Sequence, residues 1–184
     1  VNRSKGLETL LEALATLRND GHTVKLLMIG GRTGSSDPTN IAYVKEIDTL
    51  ITELNLDEHI HWTGFVDDTT VTTYLAASDA IVLPFRDGAS YRRGSLMAAI
   101  QHQCAIITTQ PQVEISTFKH QENMLLFPPG NTQALIDTIK HAIANVNTLK
   151  QLRKGTHELN QNFDWENITQ KTVRFFEQLP GHHT

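Results

Sequence analysis

Short apolar runs and amphipathic helical runs alternate along almost the whole chain. Thr23–Ile29, Ile60–Thr63, Asp79–Leu83, Ala105–Ile107 and Met124–Phe127 are strand-like, and each ends in glycine, proline or polar residues. Between them lie helical patterns. Leu7, Leu10, Leu11, Leu14 and Leu17 share one stripe, with Ser4 as its expected N-cap and Gly21 as its stop. In Asn40–Asn55, the inward set is Ile41, Val44, Ile47, Leu50, Ile51 and Leu54. Asp67–Ala77 packs through Val71, Tyr74 and Leu75. A helix from Leu96 offers Leu96, Met97, Ala99 and Ile100. Val113–Phe118 reads as a short helix, Asn131 as the cap of Thr132–Ala144, and Val146–Asn160 carries Leu149, Leu152 and Leu159. Phe163-Asp164-Trp165 opens a last helix with Ile168, Val173, Phe175, Phe176 and Leu179. Such alternation predicts an α/β fold: a Rossmann-like, doubly wound parallel sheet with helices on both faces. Residues 1–179 read as one domain and 180–184 as a disordered tail. Trp165, Phe175 and Phe176 divide between core packing, expected for at least two of them, and an interface beyond the domain.

The 184 residues suffice for one domain with a real core, and 39% of them are hydrophobic. The formal charge of −4 argues against a nucleic-acid binder. No apolar run reaches the roughly 18 residues of a membrane span, and no signal-peptide pattern is present. The single cysteine, Cys104, falls by a buried strand, which fits a reducing, cytoplasmic setting. Val1 opens the chain without methionine, just ahead of the first helical pattern, so the chain reads as a fragment of a larger protein. No Lys or Arg occurs between Lys45 and Arg86, while Glu46, Asp48, Glu53, Asp57, Glu58, Asp67, Asp68 and Asp79 do. Arg86, Arg92 and Arg93 then arrive together, in the loop Phe85–Gly94 that leaves a strand and enters a helix. A polar, glycine-containing loop at that place is where open α/β sheets bind anions. Lys5, expected in the first turn of the first helix, is unfavourable against the helix dipole and invites a bound phosphate.

Other chemistries find no support. The nine histidines lack HxxxH or HExxH spacing, so no metal site is expected. No GxSxG elbow, Walker A or complete GxGxxG is present. What remains are loops at strand carboxyl ends: Gly30–Thr39, Gly64–Asp67, Phe85–Gly94 and Thr109–Val113. Together with Lys5 they would form a cleft with fixed cations, glycines and one carboxylate, Asp87. That suits a nucleoside diphosphate carrying a polyhydroxylated group.

The ordered set KGLETLLEAL, LLMIGG, IHWTGFV, YLAASDAIVLPF, AIITT, NMLLFPPGNTQAL and FDWENI resembles the C-terminal domain of group 1 (family 4) retaining GT-B glycosyltransferases, over nearly the whole chain. The resemblance implies a domain that binds a nucleoside-diphosphate sugar, partnered by an N-terminal acceptor domain. It implies metal-independent transfer with retention, no cofactor, and a role such as polysaccharide biosynthesis at the inner membrane surface. Asp87 would contact the sugar hydroxyls as the catalytic acidic residue. Gly88, Ser90, Arg92, Arg93, Gly94 and Ser95, with Lys5 and Arg3, would hold the diphosphate. Gly64, Phe65 and Val66 would border the base. The sequence departs from the family in having Ser95 where a second glutamate is usual, and Gln103 where a glycine is usual. Arg92 and Arg93 are the expected compensation. The alternatives are a non-catalytic scaffold and another nucleotide or phosphosugar enzyme, such as an epimerase or a phosphorylase. The fragment alone should be inactive. The family's first, central strand would precede Lys5. Either a core strand is lacking or another segment fills its slot, self-association of the fragment being one source.

Overall fold

The computed structural model describes residues 2–32, 38–163 and 165–178. Expectations placed on the loop 33–37, the Trp165 side chain, Leu179 and the tail lie outside them. Five short parallel strands form the central layer: β1 (Leu26–Met28), β2 (Ile60–Trp62), β3 (Ile81–Leu83), β4 (Ile106–Thr109) and β5 (Leu125–Phe127). The helices are α1 (Leu7–Asn19), α2 (Pro38–Glu53), α3 (Asp68–Ala77), α4 (Gly94–Gln101), α5 (Thr132–Ala144), α6 (Val146–Asn160) and α7 (Trp165–Gln178). This is the Rossmann-like arrangement the alternation predicts.

Each face of the layer has its own core. Leu11, Leu17, Ile47, Ile107, Phe127 and Leu135 cluster on one, where α1, α2 and α5 pack. Leu75, Phe85, Leu96, Ile100, Ile106 and Phe118 cluster on the other, with α3 and α4. β4 is buried at every position because it has neighbours on both edges and helices on both faces.

The sheet is nevertheless in two pieces. β1 pairs with β2, β3 and β5 flank β4, and no described segment pairs β1 with β3. The slot of the expected central strand is therefore not filled by any described residue.

Local chemistry explains most element ends. α1 stops in a Schellman turn: Gly21 has φ +87°, its N–H donates to Arg18 C=O at 2.9 Å, and His22 N–H donates to Leu17 C=O at 3.0 Å. Asp67, Asn131 and Asn145 cap α3, α5 and α6 with their own side chains.

Several expectations are corrected. Ser4 does not cap α1; Gly6 holds that place, and Arg3–Lys5 is a separate 3-10 turn. α4 begins at Gly94 rather than Leu96. Residues 113–118 form bends and turns and not a helix, with Phe118 buried in the core at the segment's end. In α2, Ile41 is exposed and Tyr43 takes the buried place. Phe175 and Phe176 pack edge to face on each other, and both are exposed. They are not core residues, because α7 lies beyond the sheet's own helix layers.

Candidate diphosphate and sugar site

Three chain segments meet at the carboxyl edge of β3. The Arg86 N–H donates to Ser4 C=O at 3.0 Å, tying the Arg3–Lys5 turn to the loop after β3. Gly6, with φ +63°, lets that turn approach: a Cβ there would stand 2.0 Å from Pro84 O. Gly88, with φ +81°, does the same for the loop after β4, a Cβ lying 2.7 Å from Gln110 O. Glycine at both positions is required by space as well as by backbone conformation.

Charges then sort themselves into two groups. Arg3 binds both carboxylate oxygens of Glu46, one at 2.7 Å, and stacks over Tyr43 with 4.9 Å to the ring centroid. Glu8 accepts from Tyr43 Oη at 2.7 Å and lies 3.7 and 3.8 Å from Arg3 and Arg86. Burial, then the hydrogen bond to Glu8, pushes the Tyr43 phenol well above its ordinary range, so it remains a donor at neutral pH. This cluster spends Arg3 on fastening the turn to α2, which argues against a phosphate contact for it. The sequence carries no pattern for it, apart from an acidic residue in the first turn of α1.

The second group is the loop before α4. Arg93 is half-buried and pairs with the exposed Asp87. It also donates to Ser4 Oγ at 3.3 Å and lies over the Phe85 ring, 4.9 Å from the centroid. Ser90 C=O accepts from Arg93 N–H at 3.1 Å, which closes the loop. Tyr91 anchors it further, packing edge to face on Phe118 and Phe163. Arg92 and Lys5 are exposed and make no ion pair with any described residue. Ser4 is the member of this site that sequence reading missed, having been assigned to a helix cap.

Helix starts point to an anion. α3, α5 and α6 begin with side-chain caps, but α1 and α4 begin with Gly6 and Arg93, neither of which supplies a capping side-chain hydrogen bond. An arginine has no acceptor to offer, so the first N–H groups of α4, those of Gly94 and Ser95, lack a side-chain cap. Of the five α-helices whose N-caps are described, the two without such a cap start at this one edge.

Gly64, Phe65 and Val66 follow β2. Gly64 has φ +67° and bridges Gly30. Phe65 is 84% exposed, yet its ring lies so close over Gly31 that a Cβ there would be 2.6 Å from it. The result is an exposed aromatic face beside the ends of β1 and β2. Gathered at the β3 edge are therefore Asp87, Gly88, Ser90, Arg93, Gly94 and Ser95, with the Lys5 turn. Gly64, Phe65 and Val66 border the neighbouring β1–β2 edge.

The family model for group 1 glycosyl transferases matches residues 1–158. The chain belongs to that family. Its structure has the fold of one half of a GT-B glycosyltransferase. It is similar to sucrose-phosphate synthase from Thermosynechococcus elongatus (26% identity, TM-score 0.79, covering 97% of this chain and 43% of that one). It also resembles Anabaena HepE, solved in complex with UDP, at 21% identity and TM-score 0.81, covering 97% of this chain and 46% of that one. A third similar structure is the C-terminal domain of the Francisella tularensis group 1 protein LpcC, at 20% identity and TM-score 0.73, covering 88% of this chain and 80% of that one. The chain thus spans under half the length of the first of these and of HepE. No curated protein matches it.

Proposed function

We propose that this group 1 domain binds the nucleoside-diphosphate sugar donor of a glycosyltransferase, at the carboxyl edge of β3. The observation that carries the reading is the convergence on one sheet edge of two helix N-termini without side-chain caps, with Arg93 paired to Asp87 and the exposed Arg92 and Lys5 in the same segments. Main-chain N–H groups and the positive end of a helix dipole favour a diphosphate there. HepE, of like fold, was solved with UDP, which supports the same ligand class here.

In this reading the diphosphate lies against Gly94, Ser95 and Arg92, with Lys5 opposite. As the bond from the sugar to the diphosphate breaks, negative charge grows on the leaving oxygens. Preformed donors that face that charge lower the barrier. Asp87 accepts hydrogen bonds from sugar hydroxyls and fixes the ring's orientation. Arg93 changes partner, from the Asp87 carboxylate to the phosphate, so that Asp87 becomes available as the donor enters. Ser95 offers the nucleotide one hydroxyl where the family resemblance implies a carboxylate. The phosphate contacts therefore carry a larger share of the affinity. Phe65 gives the base a face to stack on.

Transfer proceeds with retention and without a metal, and the acceptor is bound by a partner domain; product stereochemistry and rates with added chelator test these points. Ser95 also favours a second reading, a scaffold that binds nucleotide without turnover. Calorimetry on the chain tests the binding that both readings share, and product analysis with the whole parent protein separates transferase from scaffold. A charge-assisted contact is worth about 1.5–3 kcal/mol, so Arg92→Glu should weaken nucleoside diphosphate binding by at least about tenfold. Unchanged affinity would remove the proposed phosphate contact.

A further inference from the structure

A second cleft lies away from the β3 edge, between the turns at 116–123 and helix α6. Its volume is about 450 Å³, within the roughly 300–1,000 Å³ of pockets that take small molecules. None of the residues assigned to the diphosphate and sugar site lines it.

Close packing fixes the walls. Gly155 sits inside α6, where glycine weakens a helix. A Cβ there would stand 2.2 Å from the Glu122 carbonyl oxygen, so glycine lets α6 come this near the turns. Around it, Thr156 Oγ1 donates to Asn123 C=O at 2.9 Å, and Gln151 Nε2 donates to Gln121 C=O at 3.0 Å. Asn123 is buried; its amide donates to Thr117 C=O at 2.8 Å and accepts from Lys119 N–H at 2.9 Å. Thr117 in turn bonds Tyr91 Oη, which fastens this wall to the loop before α4. The cleft is therefore held in shape by the fold, and a ligand would not have to order it.

The lining selects the ligand's chemistry. Lys119 lies 3.3 Å from Glu122, and Lys154 lies 4.0 Å from Glu158, all four side chains being exposed. The two positive and two negative charges cancel. Each already has an opposite neighbour, so a charged ligand would gain little over the pairs it disturbed. No lining residue is aromatic, which leaves no face for a planar base. What remains is a mixture of groups: carboxylates that only accept, ammonium groups that only donate, and the hydroxyls and amides of Ser116, Asn123 and Gln151, which do both. Neighbouring hydroxyls on a sugar ring donate and accept from adjacent carbons and so meet all of these. The ring's C–H face suits Leu159 and the lysine stems.

We infer that the cleft between the 116–123 turns and α6 binds a neutral mono- or disaccharide. A free sugar and the end of a glycan share this chemistry. The inference does not depend on the nucleotide reading.

The isotope-labelled chain is titrated with glucose, galactose, mannose and N-acetylglucosamine, with maltose and cellobiose, and with glucose 6-phosphate, while backbone amides are followed by NMR. At least one neutral sugar should give saturable shifts centred on Thr117–Asn123 and Gln151–Asn162. Ser116→Trp, at an exposed place on the wall, should abolish them and leave the rest of the spectrum unchanged. Glu158→Gln should weaken binding by about tenfold, as the loss of a charged hydrogen bond does. A disaccharide that binds more tightly than its monosaccharide assigns the site to a glycan end, and equal affinities assign it to a free sugar. Three results would overturn the inference: no saturable shift in the cleft with any neutral sugar, shifts that survive both substitutions, or tighter binding there of glucose 6-phosphate than of glucose.

Discussion

Gly6 is where the largest local consequence follows from the smallest change. Its φ of +63° already disfavours any side chain, and a methyl group would meet the Pro84 carbonyl at 2.0 Å. Gly6→Ala should cost about 2–4 kcal/mol in urea unfolding, the sum of overpacking and left-handed strain. It should also loosen the Lys5 turn from the Arg86 loop. Asp87→Asn is the opposite kind of change. It removes the charge that holds Arg93 and leaves the fold intact. Binding of a free nucleoside diphosphate should stay within about twofold, while the extra affinity of a nucleotide sugar falls about tenfold, the size of one charged hydrogen bond. Equal losses for both ligands would place Asp87 at the phosphate and not at the sugar. Cys104 is 1% exposed, and burial raises its thiol pKa. A raised folded pKa means that the folded chain holds this proton more tightly than the unfolded chain. The stabilisation is complete below the thiol's ordinary pKa and is lost as pH rises from there through the raised folded value. Native protein at pH 8 should leave Cys104 unmodified by a thiol reagent that labels it promptly in urea.

The helices differ in how firmly their ends are fastened, and this can be measured. Asn131 Oδ1 accepts from Ala134 N–H at 2.9 Å, so Asn131→Ala should cost about 1 kcal/mol. α4 has no such side-chain cap to lose. Its first turn should gain order, seen as slower amide exchange, only when a diphosphate is present. At the level of elements the sequence was largely readable. The leucine stripe of α1, the Gly21 stop and the Asn131 cap each depend on residues within one or two turns, and all appear as expected. The failures are those of distant contacts. Tyr43 replaces Ile41 in the core because its hydroxyl finds Glu8, thirty-five positions away. The 113–118 segment has helical spacing but forms turns, with Phe118 buried in the core under Tyr91. In the site, Asp87, Gly88 and Arg93 were legible as one loop. The diversion of Arg3 to Glu46 and the placing of Ser4 beneath Arg93 were not, since each joins residues more than forty positions apart.

For the molecule as a whole, the sheet is divided between β1 and β3, beside the edge where the ligand is proposed to bind. Under the proposed function, the run of acidic residues before Arg86 and the arginines from Arg86 to Arg93 would give the chain a polarity that directs an anion to this edge, despite a net charge of −4. No described helix is long and apolar enough to cross a membrane. A nucleoside diphosphate is proposed to bind where α1 and α4 begin. Titrating the isotope-labelled chain with UDP and GDP, and following backbone amides by NMR, addresses it directly. Saturable shifts are expected at Lys5–Leu7, Gly88 and Arg92–Leu96 alone, with smaller ones at Gly64–Val66 from the base. Shifts centred elsewhere, or none at millimolar nucleotide with the chain folded, would contradict it.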